Sequence, residues 1–201
     1  MPIGEIAAVV KKHVGTRVYY FGTVTSDKLK GITSVPVIEA SPKTFLNERT
    51  EDGYQRPGSQ VRMRQFAKYL KDNPNSVVPP ILMSSRDAWQ FQPTPGETVY
   101  GKLIVNAAAY IIDGQHRAGG YVSLFEETGD VRPVDFVLLE GLTKDEERDE
   151  FTTVNSTQKG VPKPLFAFLE GEAPAMLGWA LNEENDSPFK GRITRVKMAK
   201  Q

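Results

Sequence analysis

The residues with most capacity for chemistry stand together at Asp113-Gly114-Gln115-His116-Arg117. A glycine between a strand and a helix lets the backbone turn sharply and come close to a ligand, and the free N–H groups of the following helix attract an anion. Arg117 adds a permanent charge whose planar fork suits phosphate oxygens, and His116 donates a hydrogen bond or carries a proton near neutral pH. Gly114, Gln115, His116 and Arg117 are therefore candidates for holding a nucleotide or DNA phosphate. If the site turns substrate over, Asp113, His116 and Arg117 are the candidate catalytic residues. Asp113 and His116 would position water or metal, and Arg117 with the helix N-terminus would stabilise phosphate charge. A structural reading stays open beside this one, in which Asp113 caps the helix, Arg117 pairs with an acid such as Glu126, and His116 is an ordinary side chain.

Arg64, Lys68 and Lys71 recur along one face of a helical pattern and, with Arg62, are candidates for a track along DNA phosphates; the alternative is a solvated helix face. Gln55 and Arg56 stand just before that pattern and are candidates for the same ligand as the loop. Asp113, Glu126, Glu127 and Asp130 offer the hard oxygens that suit magnesium, although carboxylates in such places are commonly solvated. His13 lies among lysines with no partner at a ligand spacing. With two histidines and no cysteine the sequence has no zinc site, so a metal would arrive with a nucleotide. No Ser-His-Asp order or two-metal carboxylate cluster specifies a hydrolase.

The elements that must position these groups are readable from periodicity. Residues 108–112 predict a strand that feeds the loop, and a helix is expected over 118–127. Met63, Phe66, Ala67 and Leu70 fall on one face of an amphipathic helix between Pro57 and Pro74. Further strands are expected over 17–24, 34–38, 77–83, 99–105 and 134–139, with a Pro/Gly/Thr loop over 92–98. Thr143 and Glu146 form a capping box for an acid-rich helix to about Val154, a polar turn region follows, and a short helix opens near Leu165. The end of the chain is basic, with Lys190, Arg192, Arg195, Lys197 and Lys200 and no acid after Asp186.

At 201 residues and 39% hydrophobic, the chain can bury a core without disulfide or metal, and one domain over 1–201 is the expectation. The 25 basic and 25 acidic residues balance, so attraction to nucleic acid must come from local clustering. The lack of cysteine suits a reducing compartment, and neither a signal peptide nor an apolar run long enough for a bilayer is visible, so a cytoplasmic protein without membrane contact is expected.

The string Tyr110-Ile111-Ile112-Asp113-Gly114-Gln115-His116-Arg117 resembles the signature of DGQHR-domain proteins, a group that includes DndB-type proteins of DNA phosphorothioation systems. Gly53-Tyr54-Gln55-Arg56-Pro57 and the helix after it resemble that family's G-x-Q-R segment. Phe151-Thr152-Thr153-Val154-Asn155, with Gln158 and Lys159, resembles its F-x-x-x-N segment. The blocks keep the family's order across roughly residues 17–170, leaving 171–201 as a helical, basic extension, and many relatives are longer. The same layout is similar to ParB N-terminal domains and, more distantly, to sulfiredoxin.

The resemblance implies an α+β domain with a small mixed sheet flanked by helices, in which the DGQHR loop contacts nucleotide phosphates. It also raises Gln55, Arg56, Asn155 and Gln158 to ligand candidates. The implied partners are DNA, a nucleotide such as ATP or another nucleoside triphosphate with Mg2+, and a second copy of the chain. The implied role is that of a DNA-binding regulatory protein of a modification or phage-defence system, with an NTPase or nuclease as the alternative. Ala118-Gly119-Gly120 departs from the family's larger residue and alanine, and predicts a helix that starts late or admits a close backbone neighbour.

Overall fold

The structure, a computed structural model, describes residues 2–51, 53–86, 88–157 and 163–193. Contacts divide the chain into two compact units, Met1–Asn155 and Ser156–Gln201, a boundary some way before the extension expected from residue 171. In the first unit the order is β1 (Gly4–Val14), β2 (Arg17–Thr25), α1 (Ser26–Ile32), β3 (Thr33–Pro36), β4 (Glu48–Arg49), α2 (Gln60–Asp72), β5 (Ile81–Arg86) and β6 (Trp89–Pro93). Then come β7 (Tyr100–Val105), β8 (Ala109–Asp113), α3 (Gln115–Thr128), β9 (Pro133–Glu140) and α4 (Lys144–Thr157). The second unit holds α5 (Lys163–Leu169) and α6 (Ala173–Glu183), joined by an edge-to-face contact of Phe168 with Trp179. Among the described residues no helix is long and apolar enough to cross a membrane.

The fold is mixed α/β, and its sheet is larger than expected. Nine strands of the described residues run in the order β4-β3-β8-β5-β9-β2-β1-β7-β6. Three were not legible. In β1 only Ile6 and Val9 are buried, and a bulge between them breaks the alternation that marks a strand. β4 is two residues long, and β6 had no element assigned over its first three residues and ran its last two into the expected loop, which in fact begins after Pro93. The strand expected from Val77 starts at Ile81, because Pro79 and Pro80 have no N–H for the ladder, and Val77 itself is left exposed.

Successive strand residues point to opposite faces, which separates two apolar layers. Met83, Ile111, Phe136 and Leu138 enter the main core with Leu29 of α1, Met63, Ala67 and Leu70 of α2, and Ala118 and Val122 of α3. Their neighbours Leu82, Ile112, Val137 and Leu139 build a smaller core with Leu142 and Phe151 of α4. The central strands are therefore clamped on both sides, which holds the loop at the end of β8 in place. α2 buries the expected face and leaves Arg64, Lys68 and Lys71 exposed. At α4 the capping box forms as predicted: Glu146 N–H donates to Thr143 Oγ1 at 3.3 Å, and Thr143 N–H donates to Glu146 Oε2 at 2.8 Å.

Candidate functional site

Gly114 sits between β8 and α3 with φ of +94°, a left-handed conformation that an L side chain adopts at a cost. It is the N-cap, so α3 begins at Gln115 and not at Ala118. The glycines at 119 and 120 do not delay the helix; they admit a neighbour. A Cβ on Gly119 would stand 2.3 Å from Met63 Sδ, and one on Gly120 would stand 2.9 Å from the Met63 carbonyl oxygen. The helix penalty of the two glycines is offset by the contact of α3 with α2, where Phe66 meets Tyr121 edge to face with ring centroids 5.7 Å apart.

This contact runs from start to start. The backbone N–H of Ser59, the N-cap of α2, donates to His116 Nε2 at 3.1 Å, and Ser59 Oγ accepts from the Arg62 N–H at 3.4 Å. A Cβ on Gly58 would stand 3.3 Å from Gln115 Oε1. Met63 then lies on Gly119 and Phe66 on Gly120, so α2 and α3 run side by side in the same direction. Each helix start carries roughly half a positive charge from its aligned peptide dipoles, and here two such ends meet.

The side chains add to that field. Arg117 donates from Nη2 to Asp113 Oδ2 at 2.9 Å and to the Pro80 carbonyl at 3.2 Å. Its Nε and Gln115 Oε1 are buried without a hydrogen-bond partner. Arg117 thus pairs with an acid, as the structural reading expected, but the acid is Asp113; Glu126 accepts from Lys30 at 2.7 Å instead. His116 is held below its ordinary value first by burial and then by the charges of Arg62 and Arg56, with Asp113 opposing. Since Nε2 accepts from Ser59, the neutral ring carries its proton on Nδ1. Arg56 and Arg62 are exposed beside the ring.

The other candidates divide. Gln55 is buried, and its Nε2 donates to the Ile111 carbonyl at 2.6 Å, so its amide ties the segment before α2 to β8. Asn155 is exposed within α4, which runs on to Thr157 where a polar turn was expected, and its Nδ2 donates to the Phe151 carbonyl at 2.7 Å. Gln158 lies outside the described residues. On α2, Lys68 pairs with Asp72, the Arg64 guanidinium lies 5.8 Å from the Phe45 ring centroid, and Arg62 and Lys71 face solvent. Glu127 accepts from Ser123 and Asp130 pairs with Arg132. Among the described residues no three His, Cys, Asp or Glu side chains stand together to hold a metal.

Sequence reasoning missed Ser59, which the pattern Ser followed by a helical face marks as an N-cap, and Pro80, whose role depends on its carbonyl alone. It also missed a buried pair on the opposite sheet face. Glu147 of α4 is fully buried and takes a two-point bond from Arg86, at 3.0 Å and 2.8 Å. The Arg86 guanidinium lies 3.8 Å from the Tyr110 ring centroid. Beside them the Tyr54 hydroxyl is pushed up, first by burial and then by the Glu147 charge.

Residues 8–178 match the DndB family, described as DNA-sulfur modification-associated. Comparison with curated proteins and with solved structures gave no match. With a match over most of its length, including the DGQHR loop, both helices beside it and α4, the chain belongs to the DndB family of DNA-sulfur modification-associated proteins.

Proposed function

We propose that this protein is a DNA-binding, regulatory component of a DNA phosphorothioation system, and that it takes a phosphate of DNA or of a nucleotide at the joined starts of α2 and α3. The observation that carries the reading is the parallel pairing of two helix N-termini around His116, with Arg56, Arg62 and Arg117 beside them. Peptide N–H groups and guanidinium forks of this kind complement phosphate oxygens. The order of strand, DGQHR loop and helix accords with a ParB-like domain. A nucleoside triphosphate would bring its own Mg2+, since the carboxylates near the loop are spent on Arg117, Lys30, Ser123 and Arg132.

Binding without turnover is favoured over hydrolysis by one further feature. The Nε2 lone pair of His116 is engaged by Ser59 and Asp113 is paired with Arg117, so the loop holds no disengaged base to activate water. Arg117→Ala is expected to weaken triphosphate or DNA binding by about 1.5–3 kcal/mol, the range for hydrogen bonds to a charged group. Isothermal titration of the folded variant checks it, and equal affinity would remove Arg117 from the site. A phosphate-release assay with Mg2+ separates binder from enzyme: turnover by the wild type that Asp113→Asn abolishes would favour the enzyme.

A further inference from the structure

A groove of about 580 Å³ opens beside Pro79 and Pro80. It is lined by Val10 of β1, Phe21 of β2 and the segment 77–80. Phe21 is 43% exposed and Val77 95% exposed, which leaves an aromatic ring and an aliphatic side chain lining the same opening. Thr23 Oγ1 donates to Asp135, an exposed carboxylate that also lines the groove. Ala8, on the rim, has φ of +55° in the bulge between Ile6 and Val9, a strained backbone of the kind that gathers at binding sites.

Phe21 pairs with Val137 and Thr23 with Asp135, so the groove lies on the sheet face opposite α2 and α3 and meets the loop at Pro80. Pro80 lines the groove and its carbonyl accepts from Arg117. The two sides differ in sign. Asp135 repels phosphate from the groove, and the helix starts with Arg117 attract it to the loop. An exposed aromatic face, a carboxylate acceptor and a neighbouring cation match the ring, the N–H edge and the phosphate of one nucleotide. A purely aliphatic ligand would cover the Asp135 carboxylate and leave it only the Thr23 hydroxyl as a partner, which costs free energy.

We propose that the groove is a nucleobase subsite continuous with the phosphate site. The base lies on the Phe21 ring against Val77, its N–H donors face Asp135, and its phosphate reaches the Gly114 to Arg117 turn. This rests on the phosphate-site reading above and gives that site its ligand class. The base belongs either to a free nucleotide or to an unpaired position in DNA; stacking and N–H recognition are common to both.

Titration of the full chain with GTP, guanosine, tripolyphosphate and a 5′-phosphorylated single-stranded deoxyoligonucleotide tests it. Phe21→Ala, at an exposed position, is expected to weaken GTP or the oligonucleotide about tenfold while leaving tripolyphosphate unchanged. Asp135→Asn is expected to weaken guanosine and GTP together, and Arg117→Ala to weaken tripolyphosphate as well. Loss confined to the oligonucleotide assigns the base to DNA, and loss confined to GTP assigns it to a free nucleotide. GTP binding that Phe21→Ala and Asp135→Asn both leave intact, while Arg117→Ala lowers it, overturns the groove and keeps the phosphate site. Guanosine binding lost in Phe21→Ala, with tripolyphosphate bound by no variant, keeps the groove and removes the phosphate site. Absence of binding by all four probes overturns both.

Discussion

His116 is asked to accept a hydrogen bond and to stand among arginines, and both demands favour its neutral ring. Protonation would place a second N–H against that of Ser59 and add a cation beside Arg56 and Arg62. The sign for stability follows from a value below the ordinary 6.5 in the folded state. Between the two values the unfolded chain binds more protons, so the contribution of His116 is complete above about 6.5 and is lost as pH falls through the lower folded value. His116→Gln, which cannot titrate, is expected to flatten this part of the stability profile. Urea unfolding at about pH 7.5 and about pH 5 checks it, with a proton NMR titration of the ring to locate the folded value. A profile unchanged by the substitution would place the pH dependence elsewhere.

At the scale of elements, the site depends on how closely α2 can approach α3. The two glycines are not equivalent. A Cβ at Gly119 meets the flexible side chain of Met63, whereas one at Gly120 meets the Met63 carbonyl at 2.9 Å and the Phe66 ring at 2.6 Å. Gly120→Ala is therefore expected to cost about 1–3 kcal/mol, as overpacking does. Gly119→Ala is expected to cost less, because Met63 can swing away and alanine regains about 1 kcal/mol of helix preference. Chemical denaturation of the two variants ranks them, and tripolyphosphate affinity should fall with Gly120→Ala, since Ser59 is carried away from His116. α4 depends on a different contact. Glu147 is its one fully buried side chain, so Glu147→Ala removes the carboxylate that takes a two-point bond from Arg86, a side chain only 22% exposed. The expected loss is about 3 kcal/mol, at the low end for a broken buried pair. Denaturation reads it, and hydrogen exchange should show α4 opening first.

Across the whole molecule the formal charge is zero, so attraction to a polyanion must come from where charges lie. Arg62, Arg64, Lys68 and Lys71 are all exposed on α2, the helix whose start forms half of the candidate site. If they track a DNA backbone, replacing all four with Gln is expected to weaken unrelated duplexes about equally and to lower the log–log salt slope by about 0.9 for each lost contact. Binding curves at several salt concentrations decide this. An unchanged slope in the folded variant would assign the stripe to solvation, in which case Lys68 serves only Asp72 and Arg64 only the Phe45 ring.

What the sequence determined by itself is what short-range stereochemistry dictates. A glycine after an apolar strand had to turn at Gly114, residues at i, i+3 and i+4 had to share the buried face of α2, and Thr143 with Glu146 had to cap α4. The family, too, was written in short blocks. The tertiary structure decided what depends on groups distant along the chain. The engagement of His116 by Ser59, the use of the Pro80 carbonyl by Arg117 and the burial of Glu147 against Arg86 span 57, 37 and 61 positions. The breadth of the sheet was likewise hidden, because β1 has no regular alternation of its own and, beyond its hairpin with β2, is held by pairing with β7 some 90 to 101 positions away. Such pairings reward the chain only once its loops have closed, and no local pattern records them.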